Sequence, residues 1–331
     1  MKQSATVLAL ILLLFTEIFG LNEASANTKT PSINDERMAL YRKVEAVTQI
    51  PWYYLAGIDQ FERSVRRARR DLPKENGLIS IYYSPRQWVG PLNPNINDTN
   101  PKSIHFFGGI GLDGNGDGKA DRNDDEDVLY TFAHYITTYG TDKRYIKIAL
   151  WEYYQRDKSV GIIMNNARLF EKYGLDIIDK HAFPIPLRWN YSYRSTWGDR
   201  RGWGGLRIHE GTDIFAGYGT PVRSTSYGVV ELKGWNKYGG WRIGIRDLNN
   251  NYHYYAHLSG FEKNLRPGQL VEAGQVIGYV GSSGYGPPGT SGKFPPHLHY
   301  GIYKDNGITE WSFDPYPSLR NWERQERQRK K

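Results

Sequence analysis

The chain has 331 residues, 39% of them hydrophobic and 14% aromatic, and a formal net charge of +8. That length suffices for two ordinary domains. The absence of cysteine excludes disulfides and thiol catalysis and leaves only nitrogen and oxygen donors for a metal.

The N-terminus reads as an export signal. Lys2 precedes the apolar run at residues 7–15, and Ala24, Ser25 and Ala26 offer small residues for cleavage before Asn27. Thr16 and Glu17 break the run, so it is too short to span a bilayer comfortably. Removing residues 1–26, with Lys2, Glu17 and Glu23, lifts the net charge from +8 to +9. A basic exported chain suits anionic cell-wall polymers. The expected product is secreted or wall-associated, with no stable membrane span after cleavage and no nucleic-acid partner.

Residues 34–178 predict a helical domain. INDERMALYRKVEAVTQI, with Asn34 or Asp35 as cap, repeats apolar residues at Met38, Tyr41, Val44 and Val47. WYYLAGIDQFERSVRRARR sets Leu55, Ile58, Phe61 and Val65 on one face. EDVLYTFAHYITTYG, RYIKIALWEYYQR and SVGIIMNNARLFEKYG predict three further helices, the first closed by Gly140 and the last by Gly174. Between them lies GLDGNGDGKADRNDDED. Asp113, Asn115, Asp117 and Asp121, with the Lys119 carbonyl and Asp124, fill the ligand positions of a calcium loop, although the last is usually glutamate. The same segment also reads as an acidic, solvated turn.

Pro184 and Pro186 mark a boundary, and residues 183–318 turn to β texture. Short alternating runs (VVELKGW, WRIGIRDL, NYHYYAHL, QVIGYV, HLHYGIY) separated by glycine-rich turns predict an antiparallel sheet. Residues 319–331 form a basic tail, read as the solvated, frayed end of a helix. The fold class is therefore α+β in two domains.

Five of the eight histidines fall in the β half. His209 and Asp213 in HEGTD have the spacing of a metal-binding helix, but Gly211 and Thr212 favour a loop entering a strand. In HLH, His297 and His299 share one face of a strand and Leu298 takes the other. His299, His209 and Asp213 make a two-imidazole, one-carboxylate set that leaves a fourth position for water, as a catalytic zinc requires. His253 is read as structural, and Glu210 is not assigned as a base.

RIHEGTDIFAGYGTPVRSTSYGVV, YYAHLS, VEAGQVIGYVGSSGYG and PPHLHYGIY, in that order, resemble the M23 (LytM or lysostaphin-type) peptidoglycan metallopeptidases. The resemblance covers residues 183–317. It implies zinc held by His209, Asp213 and His299, and two catalytic histidines, His297 and His257, beside the attacking water. Either of these could take the proton or steady the oxyanion. The glycine-rich loop 281–292 is expected to be flexible and to border a groove for an extended peptide. Arg200, Arg201 and Arg207 meet substrate carboxylates or form a solvated basic loop. The two-part layout resembles the sporulation-type L-Ala–D-Glu endopeptidases of that family (LytH-like), acting in cell-wall or spore-cortex remodelling.

The acidic loop and the helix after it resemble the lytic transglycosylases (MltB-like), whose fold is lysozyme-like. That resemblance puts Glu62, in YYLAGIDQFERS, at the place of a glycan general acid; the alternative is an ion pair with Arg66 one turn on. YYSPRQWVGPLNPN replaces the glycine-rich segment of those enzymes. A wall-binding helical domain is the preferred reading. The alternatives are a bifunctional wall hydrolase and a non-catalytic wall-binding regulator.

Overall fold

A computed structural model of the chain describes residues 30–75, 77–201 and 207–329. The expected export signal lies outside them, as does part of TWGDRRGWGGLR. Among the described residues no helix is long and apolar enough to cross a membrane.

Among the described residues seven helices come first: α1 (Ile33–Thr48), α2 (Trp52–Ala68), α3 (Pro85–Val89), α4 (Pro101–Phe106), α5 (Asp125–Thr137), α6 (Lys143–Tyr154) and α7 (Asp157–Tyr173). The strands are β1 (Tyr191–Tyr193), β2 (Arg200–Arg201), β3 (Arg207–Ile208), β4 (Thr212–Ala216), β5 (Pro221–Arg223), β6 (Gly228–Asn236), β7 (Gly240–Asp247), β8 (Asn251–Phe261), β9 (Leu270–Val271), β10 (Val276–Val280), β11 (His297–Asp305) and β12 (Glu310–Phe313); α8 (Tyr316–Arg329) follows.

The helical half is built on α2. Its Leu55, Ile58, Phe61 and Val65 stripe is buried as the periodicity predicts. At Gly57 a Cβ would lie 2.9 Å from the Ala167 nitrogen and 3.0 Å from the Ile163 carbonyl oxygen, so this glycine lets α2 and α7 approach closely. Helix α1 begins at Ile33, which places Asn34 and Asp35 inside the first turn rather than at the cap. There Asp35 complements the helix dipole, and Asn34 donates to Asp176 at 3.0 Å. Helix α3 was not anticipated, although SPRQ carries a readable capping box. The Ser84 side chain accepts from the Gln87 N–H, and the Gln87 side chain accepts from the Ser84 N–H.

The acidic loop is held by its own hydrogen bonds. Asp113 accepts from the N–H groups of Gly116 and Gly118, and Asp117 from that of Lys119. The Asn115 carbonyl accepts from Asp117, and Asp121 accepts from Asn123. Asp124 caps α5, and buried Asp127 collects the N–H groups of Gly114 and Asp121. These carboxylates do not converge into a metal-binding group among the described residues. The calcium reading of Asp113, Asn115, Asp117, Lys119, Asp121 and Asp124 therefore has no support, because capping and turn bonds occupy the side chains.

The strands pair antiparallel in the order β1-β4-β11-β8-β7-β6-β9, with β12 on β11 and β10 bridging β5 and β8; β2 and β3 make a separate ribbon. Ile214, Ile243, Ile245, Tyr255, Leu298, Tyr300 and Ile302 fill one side of the large sheet. The alternate residues of β4, β11, β8 and β7 lie on its other, open side.

Helix α8 corrects the expectation of a frayed tail. Leu319 and Trp322 join the β core, Glu323 accepts from Tyr191 and Tyr193, and Glu326 pairs with Arg223. An aromatic and two carboxylates on one stripe anchor an otherwise basic helix. Residues Ile33–Lys331 form one compact unit. Helical and β halves are joined through Asp305, fully buried, which takes a two-point contact from Arg156 at 2.6 and 3.0 Å and a contact from Lys158. His253 is buried between Asp247 at 2.9 Å and the Tyr300 hydroxyl at 2.7 Å, the structural role expected of it.

Candidate metal centre and active site

The register of β11 against β4 sets His299 directly opposite Asp213, and His297 opposite Phe215. His209 lies in the turn between β3 and β4, where its N–H donates to the Asp199 carbonyl at 2.8 Å. The loop and strand placement of HEGTD is thus as expected. His209 Nε2 lies 2.8 Å from His299 Nδ1 and 3.1 Å from Asp213 Oδ1, and His299 Nδ1 lies 3.0 Å from that same oxygen. Three potential ligand atoms, from His209, Asp213 and His299, converge.

This cluster fits a zinc ion. His209 Nδ1 is 2.7 Å from the Thr196 carbonyl, so that nitrogen carries the hydrogen and Nε2 presents a lone pair. That lone pair faces a carboxylate oxygen and a second imidazole nitrogen, an arrangement suited to a cation. Burial by itself would raise the Asp213 carboxyl. The close His209 and His299 imidazoles, and the charge of His299 and His297, hold it well below the usual carboxylate range.

His297 and His257 stand beside the trio. His297 Nδ1 lies 2.9 Å from the Pro295 carbonyl, which directs Nε2 inward, 3.8 Å from Asp213 Oδ1. His257 Nδ1 lies 2.8 Å from the Ser283 carbonyl. Its φ of 62° breaks the strand alternation and turns its ring toward His297, with ring centres 4.8 Å apart. Burial, then the neighbouring His299 and His297, lower the His257 pKa well below its ordinary value and keep the ring neutral. His209, His257 and His297 therefore share one device: a backbone carbonyl takes the Nδ1 hydrogen and frees Nε2.

The trio opens into a cleft of about 530 Å³ lined by Tyr254, His257, Tyr285, Arg207 and Arg242. Tyr254 sets its edge against His299, while Phe215 and Phe294 pack on His297. Within the loop 281–292, Gly284 N–H donates to the Thr290 carbonyl and Gly292 N–H to that of Ser282. Tyr303 donates to Glu210 at 3.2 Å, outside the trio. Arg207 stacks over Tyr238 at 4.8 Å, whereas Arg200 is exposed; the Arg201 side chain lies outside the described residues.

Gly211 has a spatial reason. A Cβ there would lie 2.6 Å from His299 Cε1 and 2.7 Å from the Tyr300 carbonyl oxygen. Gly211→Ala should displace the His299 ring and cut both zinc content and activity. A misplacement of about 1 Å at such a centre costs roughly 100-fold in rate. Full zinc stoichiometry with undiminished turnover would refute this.

Glu62 lies apart from the cluster. It accepts from the Tyr154 hydroxyl at 2.5 Å, while Arg66 donates instead to the carbonyls of Pro73, Lys74 and Ser80, so the expected one-turn ion pair does not form. Burial pushes the Glu62 carboxyl up to about 7 against that hydrogen bond; Asp59 adds to the rise, and Arg66 and Arg69 oppose it. An unfolded glutamate titrates near about 4.3. The folded chain therefore holds the extra proton between these values, and stability falls as pH rises through that window. Glu62→Gln should be more stable than the parent at about pH 8, by up to about 3 kcal/mol, with the gap narrowing to about 1 kcal/mol at about pH 5. Urea unfolding at both pH values reads this, and equal stability at the higher pH would contradict it.

A model of peptidase family M23 matches residues 207–315. Over 325 residues the chain is 64% identical to the L-Ala–D-Glu endopeptidase of Bacillus subtilis (strain 168), covering 98% of each chain. This chain belongs to peptidase family M23. M23 peptidases are zinc metallopeptidases, and this one contains the His–Asp–His group such a metal needs. It is also 38% identical over 117 residues to lysostaphin of Staphylococcus staphylolyticus, a match covering 34% of this chain and 22% of that protein. The catalytic domain of lysostaphin from Staphylococcus simulans aligns in three dimensions at a TM-score of 0.34 and 31% identity, covering 43% of this chain and 99% of that one.

In this M23 peptidase the structure brings together His209, Asp213, His299, His297 and His257, and leaves Glu62 and residues 113–124 outside the group. Sequence reasoning missed Thr196, Ser283 and Pro295, which act through backbone carbonyls and leave no residue signature. It also missed Gly211 and Arg242.

Proposed function

We propose that this M23 peptidase is an exported zinc enzyme that hydrolyses the L-Ala–D-Glu bond of peptidoglycan stem peptides during cell-wall or spore-cortex remodelling. Its peptidoglycan endopeptidase activity follows from the family and from the near-full-length identity to the Bacillus enzyme. The observation that carries the zinc reading is the convergence of His209 Nε2, Asp213 Oδ1 and His299 Nδ1. Zinc bound there supplies Lewis acidity, polarising a carbonyl and making water acidic near neutral pH. The chain's own groups do the rest. His297 or His257 takes the proton of the attacking water on Nε2, because its Nδ1 hydrogen is committed to a carbonyl. The resulting imidazolium steadies the developing oxyanion and then donates the proton to the departing amine of D-Glu. Phe294 packs against both imidazoles and limits water around them.

Digestion of purified peptidoglycan, with mass spectrometry of the products, tests this. New N-terminal D-Glu, with L-Ala retained on muramic acid, is the expected outcome; new glycine or cross-bridge termini would overturn the bond assignment. Elemental analysis should find one zinc per chain, with activity lost to a chelator and restored by zinc.

The helical half is read as a lysozyme-like, wall-binding domain related to the lytic transglycosylases. One observation favours the bifunctional alternative: the Glu62 carboxyl, raised to about 7, has the acidity a glycan general acid needs. Anhydro-muropeptides released by full-length His297→Ala protein, and lost on adding Glu62→Gln, would establish a second activity. Their absence leaves binding as the role of this half.

A further inference from the structure

The cleft holds a cation that the hydrolysis as derived does not use. Arg242 belongs to β7 and sits where the register against β8 shifts, between Trp241 and Ile243. Ile243 and Ile245 point into the core, so Arg242 faces the open side with Tyr254, over whose ring its guanidinium lies at 6.0 Å. Two other arginines share this region. Arg246, four residues on, is neutralised by Glu231 at 3.1 Å and Glu310 at 2.8 Å. Arg207 stacks on Tyr238, donates to the Tyr285 hydroxyl and, like Arg242, keeps a buried Nε without a hydrogen-bond partner; what sets Arg242 apart is its place in the sheet. Arg242 has no carboxylate oxygen within 4.0 Å among the described residues; its guanidinium hydrogen-bonds the Tyr254 hydroxyl, and its buried Nε has no hydrogen-bond partner. A half-buried guanidinium left in that state is poorly solvated and receptive to an anion.

Its position relative to the metal ligands follows from the register. His299 pairs with Ala256 on β8, and Arg242 lies on the next strand beyond that small side chain. Two strand spacings put the two backbones about 10 Å apart. A carbonyl seated at the trio leaves the next residue's substituent roughly 5 Å away, and an arginine side chain covers the remainder. In an L-Ala–D-Glu substrate that next residue is D-Glu. Its amine is in the scissile amide and one carboxyl carries the downstream chain, so one carboxylate stays free. A Gly–Gly substrate offers no such group.

We propose that Arg242 receives the free carboxylate of D-Glu on the leaving side of the scissile bond and so determines specificity for an acidic residue there. This rests on the L-Ala–D-Glu reading above. A charge-assisted, two-point contact in a partly desolvated cleft corresponds to about 10- to 100-fold in kcat/KM.

The test compares kcat/KM on two muropeptides, one with D-Glu and one with that free carboxylate converted to the amide. Wild-type protein should prefer the acid by about 10- to 100-fold. In Arg242→Gln the acid-to-amide ratio should collapse toward one, and in Arg242→Lys part of it should return. A wild-type enzyme that cuts both equally at L-Ala–D-Glu overturns the Arg242 proposal alone, without any variant. So does an Arg242→Gln protein that loses rate on both while keeping the ratio, the mark of a packing role. A wild-type cut at a different bond overturns the bond assignment and the proposal together.

Discussion

Replacing His299 with alanine removes zinc and hydrolysis together. Its Nδ1 is within 3.0 Å of both other ligand atoms, so His299→Ala leaves one imidazole and one carboxylate, too few to hold zinc in a catalytic site. Several kcal/mol of transition-state stabilisation go with the metal, and kcat/KM should fall by more than about 1000-fold. The fold should survive, since buried Leu298 and Tyr300 on the opposite face anchor β11 in the core. Zinc analysis, hydrolysis of stem peptides and a urea melt together check this. Full zinc content in a folded His299→Ala protein would remove the residue from the ligand set.

His297→Ala behaves differently although it lies two residues away. Its Nε2 is 3.8 Å from Asp213 Oδ1, beyond the mutual distances of the ligand trio, and the proposed function gives it the proton of the attacking water rather than the metal. The variant should keep about one zinc per chain and lose about 100- to 10,000-fold in kcat, the range of a lost general base, with KM little changed. Coordinated loss of zinc would make His297 a ligand; undiminished kcat would deprive it of a role in proton transfer. The same measurement on His257→Ala ranks the two imidazoles.

The local signals in the sequence were strong where a periodicity served a core. The stripe of Leu55, Ile58, Phe61 and Val65 and the alternation through His297, Leu298 and His299 are both seen in the fold, because each reports which side of one element meets the apolar interior. Signals failed where a residue type serves two ends. Asp113, Asp117 and Asp124 have calcium-loop spacing, but short carboxylates also bond adjacent N–H groups, and they do so here. The C-terminal helix looked solvated because its basic residues outnumber the apolar ones. One face, with Leu319, Trp322, Glu323 and Glu326, was enough to dock it.

Spacing alone put His297 and His299 on one face, because i and i+2 on a strand share a face whatever the rest of the chain does, and the family resemblance supplied their roles and those of His209, Asp213 and His257. Tertiary structure decided how they work. The strand register brings Asp213 against His299, the turn at Thr196 and Asp199 swings His209 over both, and the positive φ of His257 aims its ring inward. Three carbonyls, from Thr196, Ser283 and Pro295, choose the imidazole nitrogen that carries the hydrogen. Every residue has a carbonyl, so no residue pattern marks these three. Only the path of the chain brings them to the ring nitrogens, and with them the lone pairs on which the chemistry depends.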